Sequence, residues 1–238
     1  VISRSSCFLL SLLALPAIAT ADAGESKPWK LTVADYRYSD GSDGQDVNLR
    51  WRREDTNVWV GTYHDQTFGS QARTGFDTSI ALGGSATLQP SLQAASRGFF
   101  GGSLNLQVGD PWYVLVGWGR TNLKPYFNLN FDPNDAITLG AGWHGEGGRS
   151  IALSVIADDR LHTGQKDWHL YGRWPVAADL RMTLDLMRKT GQGDGGSVHA
   201  WGLIATLDFP SWFVRVAHDP KQNFSALDAT RLAAGLRF

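Results

Sequence analysis

Apolar and polar residues alternate along most of this chain, and the period is two. Trp29, Leu31 and Val33 interleave with Lys30, Thr32 and Ala34, and Val47, Leu49 and Trp51 with Asn48, Arg50 and Arg52. Trp112, Val114, Val116 and Trp118 oppose Tyr113, Leu115, Gly117 and Gly119. Leu180, Met182, Leu184 and Leu186 oppose Arg181, Thr183, Asp185 and Met187. Residues two apart share one face of a strand, whereas a helix needs spacings of three and four. The 27 glycines also weigh against helix. The pattern predicts strands over 30–38, 46–53, 58–65, 75–82, 86–94, 98–108, 112–121, 136–144, 150–158, 167–174, 180–188, 198–208, 212–218 and 229–238. That makes fourteen, with twelve, which would leave roomier loops, as the alternative.

The predicted connections alternate in length. Residues 39–45, 66–74, 122–135, 159–166, 189–197 and 219–228 form long ones, and 54–57, 83–85, 109–111, 145–149, 175–179 and 210–211 form short ones. An up-and-down barrel with its short turns at one end and its loops at the other has this alternation. The connection 95–97 breaks the rule, and Pro90 lies in the strand before it. Trp29, Trp51, Trp112, Trp143, Trp174 and Trp212, with Phe209 and Phe238, all fall at the short-turn ends of their strands. Amphipathic rings gathered at one level suit a lipid–water boundary. A soluble β-sandwich would not require that level.

The last strand gives the pattern a family likeness. Leu232, Ala234, Leu236 and Phe238 share one face, and Arg231, Ala233, Gly235 and Arg237 the other. An apolar stripe ending in an aromatic residue resembles the terminal strand of bacterial outer-membrane β-barrel proteins. The resemblance implies an all-β, antiparallel transmembrane barrel of even strand number. It also implies that the stripe Leu232, Ala234, Leu236 and Phe238 is read by the barrel-insertion machinery. Lipid and lipopolysaccharide would surround such a barrel.

The front of the chain agrees. Arg4 is followed by an apolar run from Cys7 to Ala17 and by Ala19-Thr20-Ala21. A charged start, a short apolar run and an A-x-A site read as a cleaved secretory signal over residues 1–21. A single barrel domain over 22–238 follows. Cleavage removes Arg4 and the only cysteine, so the 22 basic side chains fall by one against 23 acidic ones. That balance gives no basic excess for nucleic acid, and no thiol chemistry remains. No later apolar run reaches the roughly 18 residues of a membrane helix.

If the apolar face meets lipid, the other face lines a lumen. It carries Arg50, Arg52, Arg173, Arg181, Arg215, Arg231 and Arg237. An arginine-lined wall enriches anions, and guanidinium grips carboxylate or phosphate in a fork. Asp35, Asp185 and Asp208 are candidate interior partners that would convert this wall into salt bridges. The size and interior are similar to small monomeric porins for acidic sugars, without a shared motif. The leading expectation is a passive channel for small solutes with a lean to anions.

Two other classes stay open: a lipid-modifying hydrolase acting on lipid A or phospholipid, and a closed structural or adhesive barrel. For the hydrolase, Ser197 and His199 lie two apart on one strand face. The His-x-Ser-Asn pattern, which resembles the site of barrel lipid deacylases and phospholipases, is absent. A solvated rim is the simpler expectation for this pair. Asp40, Asp43 and Asp46 form an acidic loop without the late Glu of a calcium loop, and Gly191–Gly196 precedes no helix. Neither suggests a metal or phosphate site, and no cofactor is expected.

Overall fold

A computed structural model describes residues 27–238. The expected leader lies outside the described residues. The strands are β1 (Trp29–Tyr38), β2 (Asp43–Arg53), β3 (Thr56–Asp65), β4 (Gly69–Thr78), β5 (Ile80–Gly83), β6 (Ala86–Ala95), β7 (Phe99–Val108), β8 (Trp112–Thr121), β9 (Ala136–His144), β10 (Ser150–Asp158), β11 (Lys166–Ala177), β12 (Leu180–Gly193), β13 (Gly196–Asp208), β14 (Trp212–Asp219) and β15 (Ala229–Arg237). Each pairs antiparallel with its neighbours in sequence, except around β5. β4 and β5 both pair with β6 and are two pieces of one stave, interrupted at Ser79. β1 pairs with β15, so fourteen staves close into a barrel. Fourteen is the number that the alternation predicts.

Strand ends differ from the sequence reading by two or three residues at the short-turn rim, where β3 begins at Thr56 and β11 runs to Ala177, and by more at the other rim. β2 begins at Asp43, β4 at Gly69, and β12 and β13 run to within two residues of each other. The apolar stripe stops before these ends, but backbone pairing does not. Polar side chains take over the outward positions while the ladder continues. Three connections expected to be long therefore shrink to turns. Only residues 122–135, 159–165 and 220–228 remain long at that rim. The Ser96–Gly98 turn, out of step in the sequence, is one of several tight turns there. We call this rim the loop end and the opposite rim the turn end.

The exposure pattern is inverted relative to a water-soluble protein. Outward-facing Trp112, Val60 and Leu232 are 71%, 53% and 59% exposed. Inward-facing Tyr63, Asp167 and Lys189 are 0%, 0% and 1% exposed. An apolar band circling a closed ladder satisfies every backbone group without water, which is what hydrocarbon demands. Aromatic residues gather at its turn-end edge: Trp29 opposes Trp51, Trp112 opposes Trp143, and Phe209 stacks on Trp212 at 4.0 Å. Outward Trp118, Trp168 and Trp201 lie toward the loop end, a second level that the sequence reading did not separate. Trp112 and Trp118 on one strand are six residues apart, roughly 20 Å along it. Asp35 is corrected by the structure: it points outward and bonds Arg37 at 2.9 Å, so it offers no partner to the lumen.

The β1–β15 seam is in register from Lys30–Arg237 to Tyr38–Ala229. Trp29 and Phe238 exchange both backbone bonds at 3.0 Å, carrying the seam to the turn rim. Inside, the Phe213 ring lies over Gly235, where any Cβ would collide with it.

This inverted exposure makes a directional prediction. Leu203, outward and 46% exposed, lies midway along β13. Leu203→Arg should cost about 2–4 kcal/mol when the protein folds into phospholipid bilayers, measured by urea titration. In a soluble protein the same change at an exposed position would stay within about 0.5 kcal/mol.

Candidate functional site

The barrel interior divides into a half filled by an inserted loop and a half lined by cations. Residues 122–135, between β8 and β9, fold inward rather than outward. Leu129, Phe131 and Asn134 are 3%, 0% and 2% exposed. The loop touches staves around the ring. Tyr126 stacks on Phe99 of β7 at 4.2 Å, and Phe127 on Tyr63 of β3 at 4.3 Å. The Phe127 backbone donates to the Gln71 side chain at 2.7 Å and accepts from it at 3.1 Å. Arg231 of β15 donates to the Leu129 carbonyl at 2.9 Å and lies 4.8 Å from the Phe131 ring. Inward Tyr36, Tyr38, Met187, Ala217 and Ala233 complete an apolar core with Leu129 and Phe131. The loop thus fills the loop-end half of the lumen. The sequence carried a signal for this: Tyr126, Phe127, Leu129 and Phe131 are odd company for a water-exposed loop.

A second loop braces the first. Gln222 and Asn223 both donate to the Asn128 carbonyl, at 3.3 and 2.8 Å. That loop is closed by the Lys221 backbone N–H donating to Asp228 at 3.0 Å. The same contact holds the Asp228 carboxyl below the usual carboxylate range, because the N–H favours its charged form.

The turn-end half is cationic. Lys30 of β1 sits directly between Arg50 of β2 and Arg237 of β15 in the sheet register. Three like charges therefore lie side by side across three adjacent staves. Arg215 is also close enough to act on Lys30, whose ammonium lies 4.2 Å from the Phe213 ring centre. Arg52 and Arg181 are on the inward face of the same half. Among the acids, Asp208 binds Arg237 and approaches Arg173 at 3.6 Å. Asp185 takes His169 rather than an arginine, at 3.0 Å. Arg215 donates to Thr206 at 3.0 Å. Arg231 is separate: it is the wall residue that holds the plug. Lys30 was missed because a single lysine at a strand start has no pattern. Only closure brings it between two arginines.

A third group lies where the inserted loop meets the wall. Asp132 accepts from His169 Nε2 at 2.8 Å, and Asp185 takes His169 Nδ1. Asp167 is fully buried, and neither of its carboxylate oxygens has a hydrogen-bond partner. Asp132, Asp167 and His169 each present a ligand atom, all within 4.8 Å of one another. Lys189 pairs with Asp219 beside them, both essentially inaccessible. Residues 35 positions apart gave no ligand spacing in the sequence.

The other candidates stay apart from the lumen. Ser197 Oγ and His199 Nε2 are 3.2 Å apart but face outward at the loop rim, with no third polar group bonded to the histidine among the described residues. Asp40 bonds Ser42, Asp43 reaches Arg37 at 3.5 Å, and Asp46 turns inward to Arg73, so these carboxylates do not converge. Gly191–Gly196 forms the end of the β12–β13 hairpin.

Comparisons with known proteins speak to the fold. No protein-family model matches the chain, and no curated protein matches it. Among solved structures, the outer membrane protein Omp33 of Acinetobacter baumannii aligns with a TM-score of 0.60 and 11% identity, over 89% of this chain and 98% of that one. The KdgM porin gives 0.49 and 10% identity over 88% of this chain and 99% of that one. The NanC porin gives 0.49 and 10% over 87% and 100%. The chain has the closed-barrel fold seen in outer-membrane proteins.

Proposed function

We propose that this chain is a passive outer-membrane channel for small anions, closed in the described conformation by residues 122–135. The observation that carries the reading is the row Arg50–Lys30–Arg237 on the inward face. Like charges directly opposite each other on neighbouring strands are destabilising. The chain keeps three in a row and supplies two acids nearby, Asp208 for Lys30 and Asp77 for Arg50. A carboxylate or phosphate entering the turn-end half would relieve that repulsion, and the low-dielectric walls would focus the field on it. Arg52, Arg173, Arg181 and Arg215 extend the same wall. Arginine in particular fits planar, two-oxygen anions.

The proposal places the turn end toward the periplasm and the loops outside, as short turns and long loops are arranged in such barrels. The leader at 1–21, recognition of Leu232, Ala234, Leu236 and Phe238 by insertion machinery, and contact of the tryptophan girdle with lipid and lipopolysaccharide belong to the same reading.

The plug favours a second reading, a closed structural barrel whose loops bind a partner. Planar-bilayer conductance separates the two. The channel reading expects discrete openings for the intact protein and a large sustained increase when residues 124–133 are replaced by a short Gly/Ser link. An intact protein that never opens at any voltage supports the closed barrel. Silence in the shortened variant as well contradicts both the plug and the channel.

Selectivity gives the sharper number. The open protein should pass chloride in preference to potassium. Lys30→Glu combined with Arg50→Glu should lower the chloride-to-potassium permeability ratio by about tenfold, read from the reversal potential in a salt gradient. An unchanged ratio would remove the cation row from the account. Ser197→Ala should alter neither conductance nor the lipid A and phospholipid mass spectra. A lipid change on that substitution would revive the hydrolase.

A further inference from the structure

Buried charge at the junction between plug and wall is out of balance. Asp132, Asp167, Asp185 and Asp219 meet Lys189 and His169 there, with Asp132, Asp167, His169, Lys189 and Asp219 all buried. Even with His169 protonated and Arg231 close enough to act on Asp219, four carboxylates face three cations. Burying unpaired charge is costly unless something neutralises it. Asp167 is the sharpest case: it is wholly buried, both its oxygens lack hydrogen-bond partners, and it lies beside His169 and Asp132.

We propose that Asp132, Asp167 and His169 form a divalent metal site that clamps the inserted loop to the barrel wall. The set of one imidazole nitrogen and carboxylate oxygens suits a borderline cation such as Zn²⁺. Its geometry is already organised from behind. Asp185 holds His169 Nδ1 at 3.0 Å, which fixes that nitrogen as the protonated one and leaves Nε2 free to become a ligand. A carboxylate behind a metal-binding histidine is the common outer partner of such sites. In the described state the Nε2 position bonds Asp132 at 2.8 Å. On binding, the metal replaces the Nε2 proton, which leaves to solvent, and it bonds Nε2 together with oxygens of Asp132 and Asp167. Net charge of the group moves one unit closer to neutral. Asp167, which faces Lys189 across the β11–β12 ladder but has no hydrogen bond, gains a direct partner for its oxygens.

The clamp follows from where the ligands come from. Asp167 and His169 are two apart on β11, so both face inward. Asp132 belongs to the plug. A metal held by all three ties the loop to the stave, and its loss leaves the His169–Asp132 hydrogen bond in its place. The site does not depend on the anion reading, since it lies apart from Lys30, Arg50 and Arg237.

The test uses the full-length folded barrel in detergent, stripped with a chelator and titrated with Zn²⁺, and with Co²⁺ as the spectroscopic probe. Expected are one tightly retained Zn²⁺ per chain after gel filtration and a Co²⁺ visible band, both lost in Asp167→Asn and His169→Gln. Asp208→Asn, on an inward carboxylate of the turn-end half, should keep both. Heat-dependent migration on a gel checks that each variant is folded. Zinc should also slow protease cleavage within 122–135 in the intact protein and not in Asp132→Asn. No retained metal in the intact protein overturns the proposal, whatever the variants do. Retention that survives Asp167→Asn and His169→Gln overturns it as well, because the metal would then sit on surface histidines. Chloride selectivity is read separately and is untouched by either outcome.

Discussion

Every feature of this molecule depends on one constraint: peptide groups in hydrocarbon must find their partners within the chain. Closing the β1–β15 seam meets that demand, and the terminal exchange of bonds between Trp29 and Phe238 completes it at the rim. Closure fixes the faces. Once the ladder is a ring, alternate residues must point to lipid or to lumen, and a one-residue slip would reverse them all. The outward leucines and valines and the inward lysine and arginines are two consequences of one register.

The interior then has its own problem. Fourteen staves enclose more space than inward side chains alone fill, so the molecule must keep water or insert chain. It inserts chain at one end only. At the loop end, residues 122–135 bring Phe127, Leu129 and Phe131 into contact with inward tyrosines, making a small apolar core inside a polar-lined barrel. At the turn end nothing is inserted, and the cations remain partly accessible. Arg231 marks the border: a cation of the wall spent on holding the Leu129 carbonyl.

The architecture was legible in the sequence because period-two patterning is local and strong. Segments such as Trp112–Trp118 or Ile137–Trp143 carry it without help from the rest of the chain. Strand ends at the loop rim were not legible, since Gly69–Thr74 and Lys189–Gly193 pair without an apolar stripe to announce them. The interior was legible only by face. Arg50 and Arg237 could be assigned inward, but their meeting across Lys30 is set by register between strands nearly two hundred residues apart. Asp132 could not be found at all, because its neighbours His169 and Asp167 meet it only after the loop folds inward. The loop aromatics were the one available hint that it would.

The fold, the lumen and the plug all follow from which face of the sheet meets acyl chains. Single-tryptophan variants in bilayers of brominated lipid would settle this. Quenching by lipid bromines should be strong for Trp112 and Trp201, which face outward, and weak for Trp59, which faces inward and is 3% exposed. Strong bromine quenching of Trp59, with Trp112 and Trp201 reached instead by a water-soluble quencher, would contradict the account.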